Sequence, residues 1–376
     1  MTSKLPEHLF ADIGDVREKH TDRLAQTFAL SRTYPPPFAK SRARDAPSYQ
    51  EGRQFTFNLN FDAATVVLRH LYSTINANYR HSESIAREEL NHPLLRFMWA
   101  DFESESSSAA QTILRHEMQC ADDPEGKITV SELFERPAMW NSLWARRPFQ
   151  LTHPDVLGRP RGAKAWDVIP PEDTVVEDSL VAWEGAGDLG DHISSRFGRF
   201  SDAETGDQFV YSFGHPAIIR VRYQHTAQGQ PLATYRDLRQ IHVTSRQLKV
   251  VREGPFTTAR AVPEKDTERV LYTLVAVVRC SDQAGEADRI RLYSVIGQPI
   301  SLPTSFNKYV GTYWNIGDPE DPGRPYLLFY AQAPGDFSGL HEEPIARKEP
   351  KLATLTKTMR LSLLPKDTGA GEGPSA

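Results

Sequence analysis

The chain has 376 residues, enough for one large domain or two modest ones, each with its own core. A net charge of -5 gives no electrostatic reason to expect nucleic acid or an anionic membrane as partner. Two cysteines exclude a disulfide framework and a four-cysteine zinc site, and no apolar run approaches the roughly 20 residues of a membrane span. The expectation is a protein of the cytoplasm or nucleus, without a metal or other cofactor.

In chain order, residues 1–50 read as a mobile arm. A short helix over 14–31 is followed by "TYPPPFAKSRARDAPSYQEG", where prolines and charge break any pattern. The first twenty residues carry charge throughout and contain no apolar run of signal-peptide length. The basic run at 39–45 reads as solvated linker in preference to a nuclear-localisation signal.

From about 55 to 150 the period is helical. In "FDAATVVLRHLYSTINANYR", Val67, Leu71, Tyr72, Ile75 and Tyr79 recur at three- and four-residue steps, predicting one apolar stripe. "NHPLLRFMWADF" places Pro93 at a first helical position, where its missing N–H costs nothing. "AAQTILRHEMQC" predicts a further turn or two. Thr129 and Glu132 stand at capping-box spacing ahead of Trp140, Leu143 and Trp144. His116 and Cys120, four apart, share a helix face as two metal ligands can, but no other ligand lies near in sequence and a structural pair fits better.

Past about 175 the period becomes two. "AIIRVRYQ", "RQIHVTSRQLKVV", "RVLYTLVAVVRC", "DRIRLYSVI" and "RPYLLFYAQ" are rich in β-branched and aromatic residues. Helices first and strands afterwards predict an α+β protein with a mostly antiparallel sheet. Arg220 and Arg222, and likewise Arg289 and Arg291, alternate with apolar residues; period two sends each pair to one face, either a wet sheet face or a groove for a binding partner. Gly185, Gly187 and Gly190 in "WEGAGDLGDHI" have dinucleotide-fingerprint spacing, but Glu184, Asp188 and Asp191 would repel phosphates, so the stretch reads as a flexible loop. Cys280 ends an apolar strand and reads as a packed thiol. "KDTGAGEGPSA" predicts disorder over 336–376.

Three of these stretches, in order, resemble the ubiquitin-specific protease family of cysteine deubiquitinases. "FGHPAIIRVRYQ" (213–224) is similar to the family's proline-led strand, "YTLVAVVRCSDQAG" (272–285) to the strand and loop before its catalytic histidine, and "PYLLFYAQ" (325–332) to its terminal strand. "NLNFDAATVVLRHLY" (58–72) is a fainter match to the helix that carries the nucleophile. The resemblance implies a papain-like fold over 51–335, with a helical thumb-like part over 51–150 and a β palm over 175–335. It also places Asp62 at the nucleophile position and Asp288 nearest the histidine; the third position is left unassigned, Asn307 and Asp318 both lying in a divergent stretch. No Cys-x-x-Cys pair is present for the family's zinc-bearing fingers.

A carboxylate cannot replace a thiolate and an imidazole in acyl transfer. The resemblance therefore implies a catalytically inactive protein that binds ubiquitin, a ubiquitin-like protein or another subunit of a complex, with Arg220, Arg222, Arg289 and Arg291 as candidate contacts. Two alternatives stay open: an active thiol hydrolase using Cys120 or Cys280 in a rearranged site, and a scaffold subunit with no ubiquitin contact.

Overall fold

A computed structural model describes residues 14–33, 49–81, 89, 93–103, 128–154, 156–169, 179–226, 231–253, 258–281, 286–300, 310, 314–319 and 323–333. Helices α1 (Val16–Lys19), α2 (Arg23–Arg32), α3 (Tyr49–Thr74), α4 (Ala77–Arg80), α5 (Pro93–Met98), α6 (Val130–Phe134) and α7 (Pro137–Met139) come first, and α7 runs on into a π-helical turn, Trp140–Trp144. The strands follow: β1 (Val156–Arg159), β2 (Asp167–Ile169), β3 (Leu180–Trp183), β4 (Gly198–Ser201), β5 (Gln208–Tyr211), β6 (Ile218–Gln224), β7 (Gln240–Glu253), β8 (Thr258–Arg279), β9 (Arg289–Leu292) and β10 (Pro325–Gln332). Short helices α8 (Leu189–Ser194) and α9 (Tyr235–Leu238) lie among them. The architecture is α+β. The first strands fall within 156–169, earlier than the expected start near 175, because β1 and β2 are too short to show a period.

Two sheets form. A small antiparallel one has the order β2-β1-β5-β4; the main one runs β3-β6-β10-β8-β7, with β9 also on β8. All main-sheet pairings are antiparallel except β3 on β6. Strands β7 and β9 share one edge of β8: β7 pairs as far as Thr273, and β9 takes over from Ala276.

The main sheet is buried on both faces, because its strands are near-continuous apolar runs whose successive side chains enter opposite cores. Ile218, Leu327, Phe329, Ala276 and Ile290 join the helical core, while Ile219, Val221, Leu328, Tyr330 and Val277 join a second core with Trp183, Tyr235 and Trp314. Cross-strand neighbours share a face, so Arg220, Phe329, Ala276 and Leu292 form one row across four strands.

Helix α3 is the axis of the helical part, and from Leu59 to Tyr72 every residue is buried. The predicted single stripe is thus too narrow, because α3 is covered on one side by the sheet and on the other by the amino-terminal helices. Burial all round forces its polar residues to find partners. Arg69 donates to the carbonyls of Met98 (2.9 Å), Ala100 (2.8 Å) and Ala29 (3.0 Å). His70 donates from Nε2 to Tyr293 O at 2.9 Å, and burial pushes its pKa down to about 4, keeping the ring neutral at pH 7.

The arm expected over residues 1–50 is folded against this core between 14 and 33. Asp15 and Asp22 cap α1 and α2 through their side chains. Arg17 pairs with Asp15 at 2.6 Å and Glu89 at 2.7 Å and lies 4.3 Å over the ring of Trp99, while Val16 N donates to Trp99 O. Leu30 and Val16 are buried with α3. Charge made this segment look solvated, but Asp15, Arg17 and Lys19 are all paired. The basic run at 39–45, the helix expected at 109–120 and the tail at 336–376 lie outside the described residues.

Candidate functional site

Of the positions singled out for catalysis, Asp288 lies at the junction between α3, α6 and the start of β9. Asp62 is fully buried within α3. Asp288, the residue before β9, is 1% exposed, and its carboxylate accepts from the backbone N–H of Val130 at 2.6 Å and of Ser281 at 2.7 Å. Its own N–H donates to Asn60 Oδ1 at 2.8 Å, and Asn60 Nδ2 in turn donates to Ile128 O at 2.8 Å. Val130 opens α6, whose next orphan donors are met by the Thr129–Glu132 capping box. Asp288 therefore completes the cap of α6 while tying it to the β8–β9 loop and to α3. Burial pushes its pKa up to about 6 against the downward pull of the two amide bonds.

Cys280 follows the last residue of β8 and is buried. Its backbone N–H donates to Pro325 O, its carbonyl accepts from Arg324, and Sγ is 4.0 Å from Val278 O. Burial first, then the charge of Asp288, holds the thiol well above its usual pKa. A nucleophilic thiol needs the opposite environment, electropositive and partly open. Cys120 and Asn307 lie outside the described residues, as does His116; Asp318 sits in a turn with its N–H on Asn315 O. Among the described residues, no group of three or more His, Cys, Asp or Glu side chains is placed to hold a metal ion. No helix among them is long and apolar enough to cross a membrane.

The four arginines do not converge. Arg289 begins β9 opposite Arg279 of β8. Arg291 points to the second core, with its guanidinium 4.5 Å over Trp314 and bonded to Trp314 O and Asn315 Oδ1. Arg220 and Arg222 stand on the opposite face, under the helical part. The wet face expected for that pair is only half present. Arg222 is partly exposed and pairs with Glu135, whereas Arg220 is 3% exposed because α6, α7 and the π-turn close over it. Trp144 and Trp140 stack on Arg220 with ring centroids 4.3 and 4.9 Å from its Cζ. Both indoles are fixed by the backbone, Trp140 Nε1 donating to Glu135 O and Trp144 Nε1 to Phe134 O. Burial pushes the Arg220 pKa down to about 9, and Glu135 opposes the shift.

A cleft of about 310 Å³ opens beside this pair, lined by Glu135, Trp140, Leu180, Ala182 and Arg222. It lies where the helical part meets β3, the terminal strand of the main sheet. The alternation of arginines is visible in the sequence; the tryptophan box is not, because it depends on where the π-turn docks.

The glycine-rich stretch has a strand before it, a helix after it and a parallel neighbour, but its glycines answer to packing. A Cβ on Gly190 would lie 2.4 Å from His242 O in β7, and one on Gly185 would meet His225 at 2.7 Å. Gly185 and Gly187 adopt positive φ, and Asp188 caps α8 itself, accepting from Asp191 N. The stretch is a tight turn, not a flexible loop.

No family model matches the chain, and no curated protein matches it. Among solved structures it is similar to the Pan2 pseudoubiquitin hydrolase–RNA exonuclease module of Saccharomyces cerevisiae in complex with AAGGAA RNA, with 9% identity and a TM-score of 0.30 over 88% of this chain and 57% of that one. The same module with A7 RNA gives 8% and 0.27 over 81% and 54%; a further structure of the Pan2 module gives 8% and 0.25 over 88% and 57%. The chain thus spans little more than half the length of these neighbours, and the likeness is distant.

Proposed function

We propose that the chain is a ubiquitin-specific-protease-like protein without thiol catalysis, acting in the cytoplasm or nucleus by binding ubiquitin, a ubiquitin-like protein or another subunit of a complex. In this reading the helices to Phe149 are the thumb-like part and the main sheet is the palm of a papain-like fold. One observation carries it: the two residues at the nucleophile and histidine positions are structural. Asp62 is enclosed in the body of α3, and both carboxylate oxygens of Asp288 hold backbone amides. Neither can deliver a thiolate or supply the imidazole that takes up and returns protons in thiol acyl transfer. Cys280 is no substitute, since burial keeps its thiol protonated.

The test is turnover of a fluorogenic ubiquitin substrate by the purified chain, with isothermal titration of ubiquitin alongside. The reading predicts no turnover, no labelling of Cys280 by a ubiquitin electrophile, and measurable heat of binding. Turnover abolished by Cys120→Ser or Cys280→Ser would overturn the loss of catalysis. Absence of heat with ubiquitin at high micromolar concentration would point to the scaffold role instead.

A further inference from the structure

We infer that the cleft beside Arg220 receives a carboxylate, carried by an acidic side chain of an extended peptide segment of a partner. The inference does not depend on that partner being ubiquitin. Arg220 is 3% exposed, and its Nε and Nη2 are buried without a hydrogen-bond partner among the described residues. These two nitrogens form the side edge of the guanidinium, a pair of parallel N–H vectors that matches the two oxygens of a carboxylate. Trp140 and Trp144 pack on the guanidinium through their rings and offer these two N–H groups no acceptor, so the edge is what a ligand can use. A buried donor pair left unmade is uncommon in folded proteins and calls for an acceptor, which a partner's carboxylate can supply.

Entry is from the 310 Å³ cleft. Between it and Arg220 lies a gap of about 10 Å³, room for a single water and too small for a carboxylate as it stands. Glu135 and Leu180 line both spaces. Glu135 is the group that moves: it is partly exposed, it holds Arg222, and its other anchor is the hydroxyl of Ser131 at 2.8 Å. An incoming carboxylate takes its place between Arg222 and Arg220, exchanging one anion for another of the same shape and charge. This favours a carboxylate over a phosphate, which brings more charge and volume. It favours a peptide because exposed Ala182 of β3 stands at the mouth of the cleft; His192 Nε2 already holds the Ala182 carbonyl at 3.0 Å, so an extended segment passes the mouth and docks through its side chains.

The probe is a fluorescein-labelled Val-Glu-Val-Glu-Val amide, with a Gln-for-Glu peptide as control, followed by fluorescence anisotropy on the full chain. The Glu peptide should bind about tenfold or more tightly than the Gln peptide. Arg220→Gln should erase that preference while circular dichroism shows an unchanged fold. If Arg220→Gln does not fold, Ala182→Trp decides, because it narrows the cleft from an exposed position and should weaken the Glu peptide about tenfold. Equal binding of the two peptides, no binding of either up to about 1 mM, or full binding by Ala182→Trp would overturn the inference. Displacement of the Glu peptide by inorganic phosphate at lower concentration than by acetate would replace the carboxylate with a phosphate and overturn it likewise.

Discussion

Replacing Asp288 with asparagine should change the pH dependence of folding as well as folding itself. Two effects oppose each other at this carboxylate. Its bonds to Val130 N and Ser281 N favour the ionised form, while burial at 1% exposure disfavours it. Burial prevails and lifts the pKa from 3.8 to about 6. A carboxyl whose folded pKa exceeds its unfolded value binds a proton more readily when folded, so it adds stability as pH falls, the reverse of the usual aspartate. Between pH 7.5 and pH 5 that increment is about 1.4 kcal/mol, growing to about 3 kcal/mol below pH 3.8. The asparagine side chain cannot titrate, and with one acceptor for two N–H donors it also loses a buried hydrogen bond, costing about 1–3 kcal/mol. Urea melts of both proteins at pH 5 and pH 7.5 isolate the effect, since the other carboxylates cancel in the difference. The wild type should gain about 1.4 kcal/mol on the variant as pH is lowered. A pH-independent difference, or a wild type that loses ground in acid, would show that the amide bonds outweigh burial.

Two further substitutions test the packing. Arg69→Met keeps the aliphatic stem but strands the carbonyls of Met98, Ala100 and Ala29, so urea denaturation should show a loss of about 3 kcal/mol or more; a loss under about 1 kcal/mol would mean that these bonds do not join α2 and α5 to α3. Gly190→Ala would be stabilising if helix propensity decided. The contact of its Cβ with the β7 backbone at 2.4 Å predicts a loss of about 1–3 kcal/mol instead, read as a lowered Tm.

The order of helices and strands was legible because each signal was local. Pro93 begins α5, Thr129 and Glu132 close their capping box, and the alternation in residues 325–332 marks β10. Failures arose where distant residues decide. Arg17 and Asp15 look like solvated charge until Glu89 and Trp99 are brought to them. Arg69 and His70 read as the polar side of an amphipathic helix, yet the carbonyls that satisfy them come from other segments. The arginine pair of β6 was visible as a pattern, but nothing local distinguishes Arg220 from Arg222. Their contrast comes from the π-turn, which covers one and stops short of the other. Asp288 was found only through resemblance, and its role as a tie across three elements depends on Asn60 and Val130, 228 and 158 residues away.

The twofold covering of the main sheet makes the molecule indivisible. Cutting between the helices and the strands would leave Ile218, Leu327 and Phe329 as a sticky plane; trimming the later loops would do the same for Leu328 and Tyr330. Neither portion would stay soluble alone as a minimal binding fragment, because each would expose a contiguous apolar face.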